Sequence, residues 1–370
     1  VTTDSKKLYQ IALTLIKGVG CITARQLMEV VGDEEAIFKS TRKSLLSIRG
    51  VGKGMVDEIL NPSVLLRAEK ELEFVEKNKI RTYFYTQTDY PERLKHCIDA
   101  PSMLYYKGNA DLDAKKTISI VGTRKSTAYG NSFTERFVEE VAQSFPDVLI
   151  VSGLAYGIDI QAHRAALKNS LSTVGVLAHG LDRIYPSVHR KTAVDMLGNG
   201  GLLTEFTSET EPERFNFVRR NRIIAGLADA VVVVESDKKG GSLITADIAN
   251  SYNREVFALP GRVSDASSLG CNRLIQENKA ILLQSADDLI KAMNWDLKTK
   301  KQVERQPQLF QNLSAEEQRI HDLLLQEDAM HVNSLSDLSG ISLPVLLPTL
   351  LEMEMKNIIE PLPGGMYRLK

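Results

Sequence analysis

Ile118-Ser119-Ile120-Val121-Gly122-Thr123-Arg124-Lys125-Ser126 reads as a short apolar run ending in a glycine turn that carries two hydroxyls and two cations. The design returns at Val148-Leu149-Ile150-Val151-Ser152-Gly153-Leu154-Ala155-Tyr156-Gly157-Ile158-Asp159. Thr173 to Leu177, Leu202 to Glu205, Ala230 to Glu235 and Glu255 to Leu259 add four more candidate strands, with helical stretches between most of them. Apolar strands alternating with helices predict an α/β domain built on a mostly parallel sheet covered on both faces.

In such a sheet ligands bind beyond the carboxyl ends of the strands. Three glycine turns fall there: Gly122 to Ser126, Ser152 to Asp159, and Lys238-Lys239-Gly240-Gly241-Ser242-Leu243-Ile244-Thr245. Lacking a Cβ, glycine lets backbone N–H groups approach an anion, and the helix that follows adds partial positive charge. One such turn needs no ligand to explain it. Three with Ser, Thr and Arg alongside point to a phosphate-binding crevice. A basic run, Pro212-Glu213-Arg214-Phe215-Asn216-Phe217-Val218-Arg219-Arg220-Asn221-Arg222, suits a single nucleic-acid strand, with arginine on phosphate and an aromatic ring on a base. Arg183, His189, Arg190 and Lys191 add further basic positions in loops. Equally, Phe215 and Phe217 could be core, and Arg220 or Arg222 could pair internally with Asp229, Glu205 or Asp247.

Outward from this centre, residues 1–65 are helical in period and contain two related turns, Gly18-Val19-Gly20 and Gly50-Val51-Gly52. They predict a small all-α, SAM-like helix-hairpin-helix domain whose amides either meet a nucleic-acid phosphate or only pack against protein. Residues 66–110 read as a connector with one helix (Val64 to Asn78) and a short strand (Thr82 to Tyr85), 111–296 as the Rossmann-like domain, 297–312 as a polar linker and 313–370 as a winged-helix-like domain. Ser314-Ala315-Glu316-Glu317 opens that last domain with a capping box. Its third helix, Leu343 to Met355, holds two acids and no base, so it is expected to bind protein or act as a spacer, not to read a duplex groove.

The formal net charge of -1 makes no case for nucleic acid, so any basic surface must be local. Cys21, Cys97 and Cys271 lack zinc or redox spacing, and the six histidines do not cluster. No metal, cofactor or membrane span is expected, and the cysteine usage suggests a cytoplasmic protein. The phosphate-loop ATPase and dinucleotide fingerprints are both missing. Asp159 and His163 read as a helix-capping acid and a packed histidine before they read as a hydrolytic pair with Ser152.

Val121 to Arg124, Ser152 to Asp159, Phe217 to Gly226, Gly240 to Ala246, Pro260-Gly261 and Ser268 to Ile275 resemble, in order, the DNA-processing protein A family (DprA, also called Smf). The resemblance implies a non-enzymatic protein that binds and protects incoming single-stranded DNA, helps load RecA in natural transformation and recombination, and forms a homodimer through its Rossmann-like domain. It maps a DNA-gripping arginine onto Arg124, and a basic and an aromatic residue onto Arg214 and Phe217. The proline usual after that phenylalanine is Val218 here. The expected DNA-binding set is Gly122, Thr123, Arg124, Lys125, Ser152, Gly153, Leu154, Arg214, Phe217, Arg220, Asn221, Gly240, Gly241, Ser242 and Thr245. The competing reading is an enzyme such as a nucleoside monophosphate phosphoribohydrolase, with Glu205 or Glu235 as its glutamate.

Overall fold

The computed structural model describes residues 3–295, 313–327 and 329–370; the expected linker, 297–312, lies outside them. Six helices come first: α1 (Thr3–Leu15), α2 (Cys21–Val31), α3 (Glu34–Lys39), α4 (Arg42–Leu46), α5 (Lys53–Ile59) and α6 (Pro62–Lys77). Then follow β1 (Arg81–Phe84), α7 (Glu92–Lys95), β2 (Met103–Gly108), β3 (Thr117–Val121), α8 (Ala128–Ser144), β4 (Leu149–Ser152), α9 (Ile158–Lys168) and β5 (Ser172–Val176). The central unit continues with α10 (Arg190–Met196), β6 (Gly200–Thr204), α11 (Arg214–Leu227), β7 (Ala230–Val233) and α12 (Gly241–Ser251). It ends with β8 (Glu255–Ala258), α13 (Leu269–Gln276), β9 (Ile281–Leu282) and α14 (Ala286–Ala292). The last module holds α15 (Ala315–Gln326), β10 (Met330–His331), α16 (Val332–Ser339), α17 (Leu343–Met355), β11 (Ile359–Leu362) and β12 (Met366–Leu369).

The central sheet runs β1-β2-β6-β5-β4-β3-β7-β8-β9. From β6 to β9 all neighbours are parallel, with Ile118 beside both Ile150 and Ala230. Residues of β3, β4 and β7 are all buried, which is why these strands read as continuous apolar runs. Their alternation feeds two cores: Ile118, Ile120 and Ile150 face one, while Val121, Leu149 and Val151 face the other. The chain builds β4, β5 and β6 on one side of β3, then crosses back to place β7 on the other. That reversal at β3 opens a crevice above the carboxyl ends of β4, β3 and β7.

Residues 66–110 are not a connector. β1 and β2 complete the sheet as an antiparallel edge, Tyr105 pairing with Thr204. The helical module is fastened to the same edge. Arg67 and Glu71 of α6 both bond Ser208, with Ser208 N 2.9 Å from Glu71 Oε1, and Arg25 of α2 donates to the carbonyls of Ile98 and Ala100. Its two glycine turns have matching backbones, with φ of 82° at Gly18 and 84° at Gly50. The first abuts the sheet domain: Gly20 and Cys21 line a small cavity with Glu205 and Arg219. The second, from Arg49 to Lys53, is solvent-exposed apart from Val51.

The final module has its own core of Ile320, Leu324, Leu335, Leu346, Leu350, Met353 and Ile359, with α17 packed on α15, α16 and β11. Ser314 and Glu317 form the capping box of α15. Strand order β10-β12-β11 completes a three-helix, three-strand winged helix.

Candidate nucleic-acid interface

Helix α11 ties the three glycine turns together. Its Arg220, only 3% exposed, sends Nη1 to the carbonyl of Gly153 at 2.6 Å and to that of Val176. One residue on, Asn221 Nδ2 lies 3.5 Å from the Gly241 carbonyl. One turn back, the Phe217 ring has the Arg124 guanidinium over it at 4.9 Å from the centroid. The first two turns also touch directly. Ile158 N donates to the Thr123 carbonyl, and a side chain at Gly157, whose φ is 77°, would collide with that same oxygen. At Gly153 a Cβ would meet the Arg220 guanidinium, so only glycine admits the arginine beneath it.

The electrostatics follow from this packing. Burial pushes the Arg220 guanidinium down to about 10, and Asp159 pulls it back up. Asp159 is itself raised by burial, with Arg220, two backbone donors and Arg124 working against that. Its Oδ2 accepts from Gly153 N at 3.1 Å, which makes it the acid of the first turn of α9. His163 is fully buried, 2.7 Å from the Thr173 hydroxyl, so Asp159 and His163 are structural as their spacing suggested.

The expected site residues divide into two groups. Arg124, Lys125, Arg214 and Gly241 are exposed, while Gly122, Thr123, Phe217, Asn221 and Gly240 are half-buried along the same rim. Against expectation, several side chains are held inside. Ser152 gives its hydroxyl to the Ile120 carbonyl, Leu154 is core, and Arg220 supports the turn from below. Thr245 is buried, and Gly153 offers backbone alone. Ser242 is different: its hydroxyl is buried at the start of α12 with no partner, beside the uncapped Gly240. An orphaned hydroxyl at a helix N-terminus is a ready donor for an anion.

Around this rim Lys238 and Lys239 add exposed cations, and Tyr156, Tyr185 and Phe215 expose aromatic rings. Tyr185 lies 6.0 Å from Phe217, centroid to centroid. The two tyrosines carry no sequence signal of this role, since nothing in an isolated Tyr marks its ring as facing out. The other basic candidates split. Arg190 and Lys191 are exposed, Arg183 is engaged by Asp182 and Glu211, and buried His189 bonds the Leu154 carbonyl at 2.9 Å. Both glutamates proposed for the enzymatic reading are buried and engaged, Glu205 through Oε2 alone. Glu205 holds Arg222 at 2.6 Å and Arg219 at 2.8 Å, and Glu235 accepts from both the hydroxyl and the backbone N–H of Thr127.

These features define a Rossmann-like domain whose turns are tied into one cationic, aromatic rim, flanked by a helical module and a winged helix. The family model for DNA recombination-mediator protein A matches residues 81–294, and that for the DprA winged helix domain matches residues 304–365. The chain belongs to the DNA processing protein A (DprA/Smf) family. It is 35% identical to DNA processing protein DprA of Streptococcus pneumoniae over 68% of this chain and 93% of that protein. Protein Smf of Synechocystis is 34% identical over 76% of this chain and 71% of its own length. The X-ray structure of the Streptococcus pneumoniae protein superposes with a TM-score of 0.60 at 31% identity, covering 77% of this chain and 96% of that one. DNA processing protein A from Helicobacter pylori, described for its single-stranded DNA binding mode, gives 0.53 at 30% identity, covering 59% of this chain and 97% of that one.

Proposed function

We propose that this chain binds single-stranded DNA along the rim above β4, β3 and β7, without a catalytic step, in the service of natural transformation and recombination. The observation that carries the reading is the bracing of all three glycine turns by one helix. Arg220, Asn221 and Phe217 of α11 reach Gly153, Gly241 and Arg124 respectively. A preorganised row of turn amides and cations suits successive phosphates, and exposed rings suit unstacked bases. Kinship with the Helicobacter pylori protein supports the same ligand. Delivery of the strand to RecA, and a homodimer through the Rossmann-like domain, complete the proposal and rest on the family.

Fluorescence anisotropy with labelled oligothymidylates, titrated across a salt series, tests the reading. Affinity should rise with oligomer length and fall steeply with salt. Arg124→Ala should weaken binding at every length. An unchanged affinity and salt slope would place the strand elsewhere.

A further inference from the structure

Helix α17 carries apolar side chains on two faces. Leu346, Leu350 and Met353 fill the core of the winged helix. Leu343, Leu347, Leu351 and Met355 recur every four residues on the outside, where they are 39%, 50%, 57% and 81% exposed. Residues four apart stack along one helix face, so these make a single stripe running the length of the helix. The stripe has no charged member, and the acids Glu352 and Glu354 flank its C-terminal half. A DNA groove would repel such a face. An uninterrupted apolar stripe exposed to water calls for a partner.

We infer that α17 pairs, antiparallel and about a two-fold axis, with α17 of a second copy of this chain. The stripe is self-complementary under that operation: Leu347 meets Leu351 of the second copy, and Leu343 meets Met355. Charge favours the same direction. Ser342 gives no side-chain cap to α17, so no side-chain oxygen offsets the positive end of the helix dipole there. Antiparallel pairing brings Glu354 of the second copy beside that turn, a carboxylate at a positive helix end. Four side chains from each copy cover less than a self-standing interface, so the pairing is weak in dilute solution. It strengthens when another surface holds two copies together.

Disulfide trapping in the full chain tests the geometry. Leu347→Cys and Leu351→Cys chains, carrying tags of different size, are mixed and mildly oxidised. The unsubstituted chain sets the background, since Cys97 and Cys271 are buried and Cys21 half-buried. The mixed 347–351 disulfide should form about tenfold more than the disulfide between two Met355→Cys chains, since effective concentration depends on geometry. In the proposed pair those Met355 positions sit at opposite ends, about 18 Å apart, far beyond disulfide reach. Leu343→Glu, added to both partners at an exposed site, should abolish the 347–351 product while circular dichroism stays unchanged. A Met355→Cys product as abundant as the 347–351 product, or no 347–351 product at all, overturns the pairing.

Discussion

Arg220 lies beneath Gly153, its guanidinium in the space a β-carbon would fill and its Nη1 on the glycine carbonyl at 2.6 Å. The arginine within the basic run is thus the floor of the binding rim and not a part of its surface. Replacing it with Met would strand the carbonyls of Gly153 and Val176 and leave Asp159 without the cation that most offsets its burial. A loss of about 3 kcal/mol in unfolding free energy is expected, since removing one partner of a buried charged network costs about that much. Urea denaturation of Arg220→Met measures it; a stability within about 0.5 kcal/mol of the parent, the usual scatter of surface changes, would contradict the role.

Arg124 and Phe217 act at the surface of the same rim, and their effects should be separable. Losing one phosphate contact lowers the magnitude of the salt slope by about 0.7 on a single strand, so Arg124→Ala should do so. Phe217→Ala should leave the slope alone and weaken binding by about 1–3 kcal/mol, the worth of one base–aromatic stack. Anisotropy titrations at several salt concentrations distinguish the two. A Phe217→Ala slope that falls as much as that of Arg124→Ala would mean the ring serves only to hold the arginine.

Much of the sheet was legible because β3, β4 and β7 are buried on both faces and end in glycine turns. The antiparallel edge was legible only as the short strand at Thr82 to Tyr85, without its place in the sheet. β2 begins at Met103, after the loop that follows the four-residue α7, and its partner β6 lies about a hundred residues away, beyond the range of any local pattern. Within the site, spacing placed Arg124, Asn221 and Gly241 on one rim. It could not say which of Arg219, Arg220 and Arg222 faces solvent, because α11 is crowded by charge on several sides. Only the packing against Gly153 and Glu205 decides that. Ser152 misled for a related reason: at a strand end the alternation that aims a side chain is settled by the last ladder pair, here Ser152 with Gly175.

Stability should fall as pH drops, and His163 should be a main cause. Burial pushes this histidine down to about 3 from 6.5, with Arg220 and His189 acting in the same direction. The folded protein therefore holds it neutral while the unfolded chain takes up a proton below 6.5. Its contribution is fully present above 6.5 and is lost progressively as pH falls towards 3, at up to about 1.4 kcal/mol per pH unit. Urea denaturation between pH 7 and pH 4 should show this slope. His163→Gln should remove about one proton's worth of it, and an unaltered slope would assign the acid sensitivity to other groups.

Glu205 and Glu235, both buried, offer the clearest separation between a binder and a phosphoribohydrolase. Glu205 is clamped by Arg219 and Arg222, and Arg222 continues to the Asp99 carbonyl next to the α2 contacts. Neutralising it as Glu205→Gln leaves two arginines facing an amide, one of them buried, and should cost about 3 kcal/mol of stability. Glu235, held by both donors of Thr127 at the crossing of the sheet, should likewise answer to Glu235→Gln with lost stability. Both carboxylates are buried and held by these partners, which disfavours either as a base acting on a ligand in the rim. Incubating the parent protein with the four common nucleoside monophosphates should release no free base by chromatography. Measurable release that disappears in Glu235→Gln, with the fold intact, would reverse the assignment and make the crevice an active site.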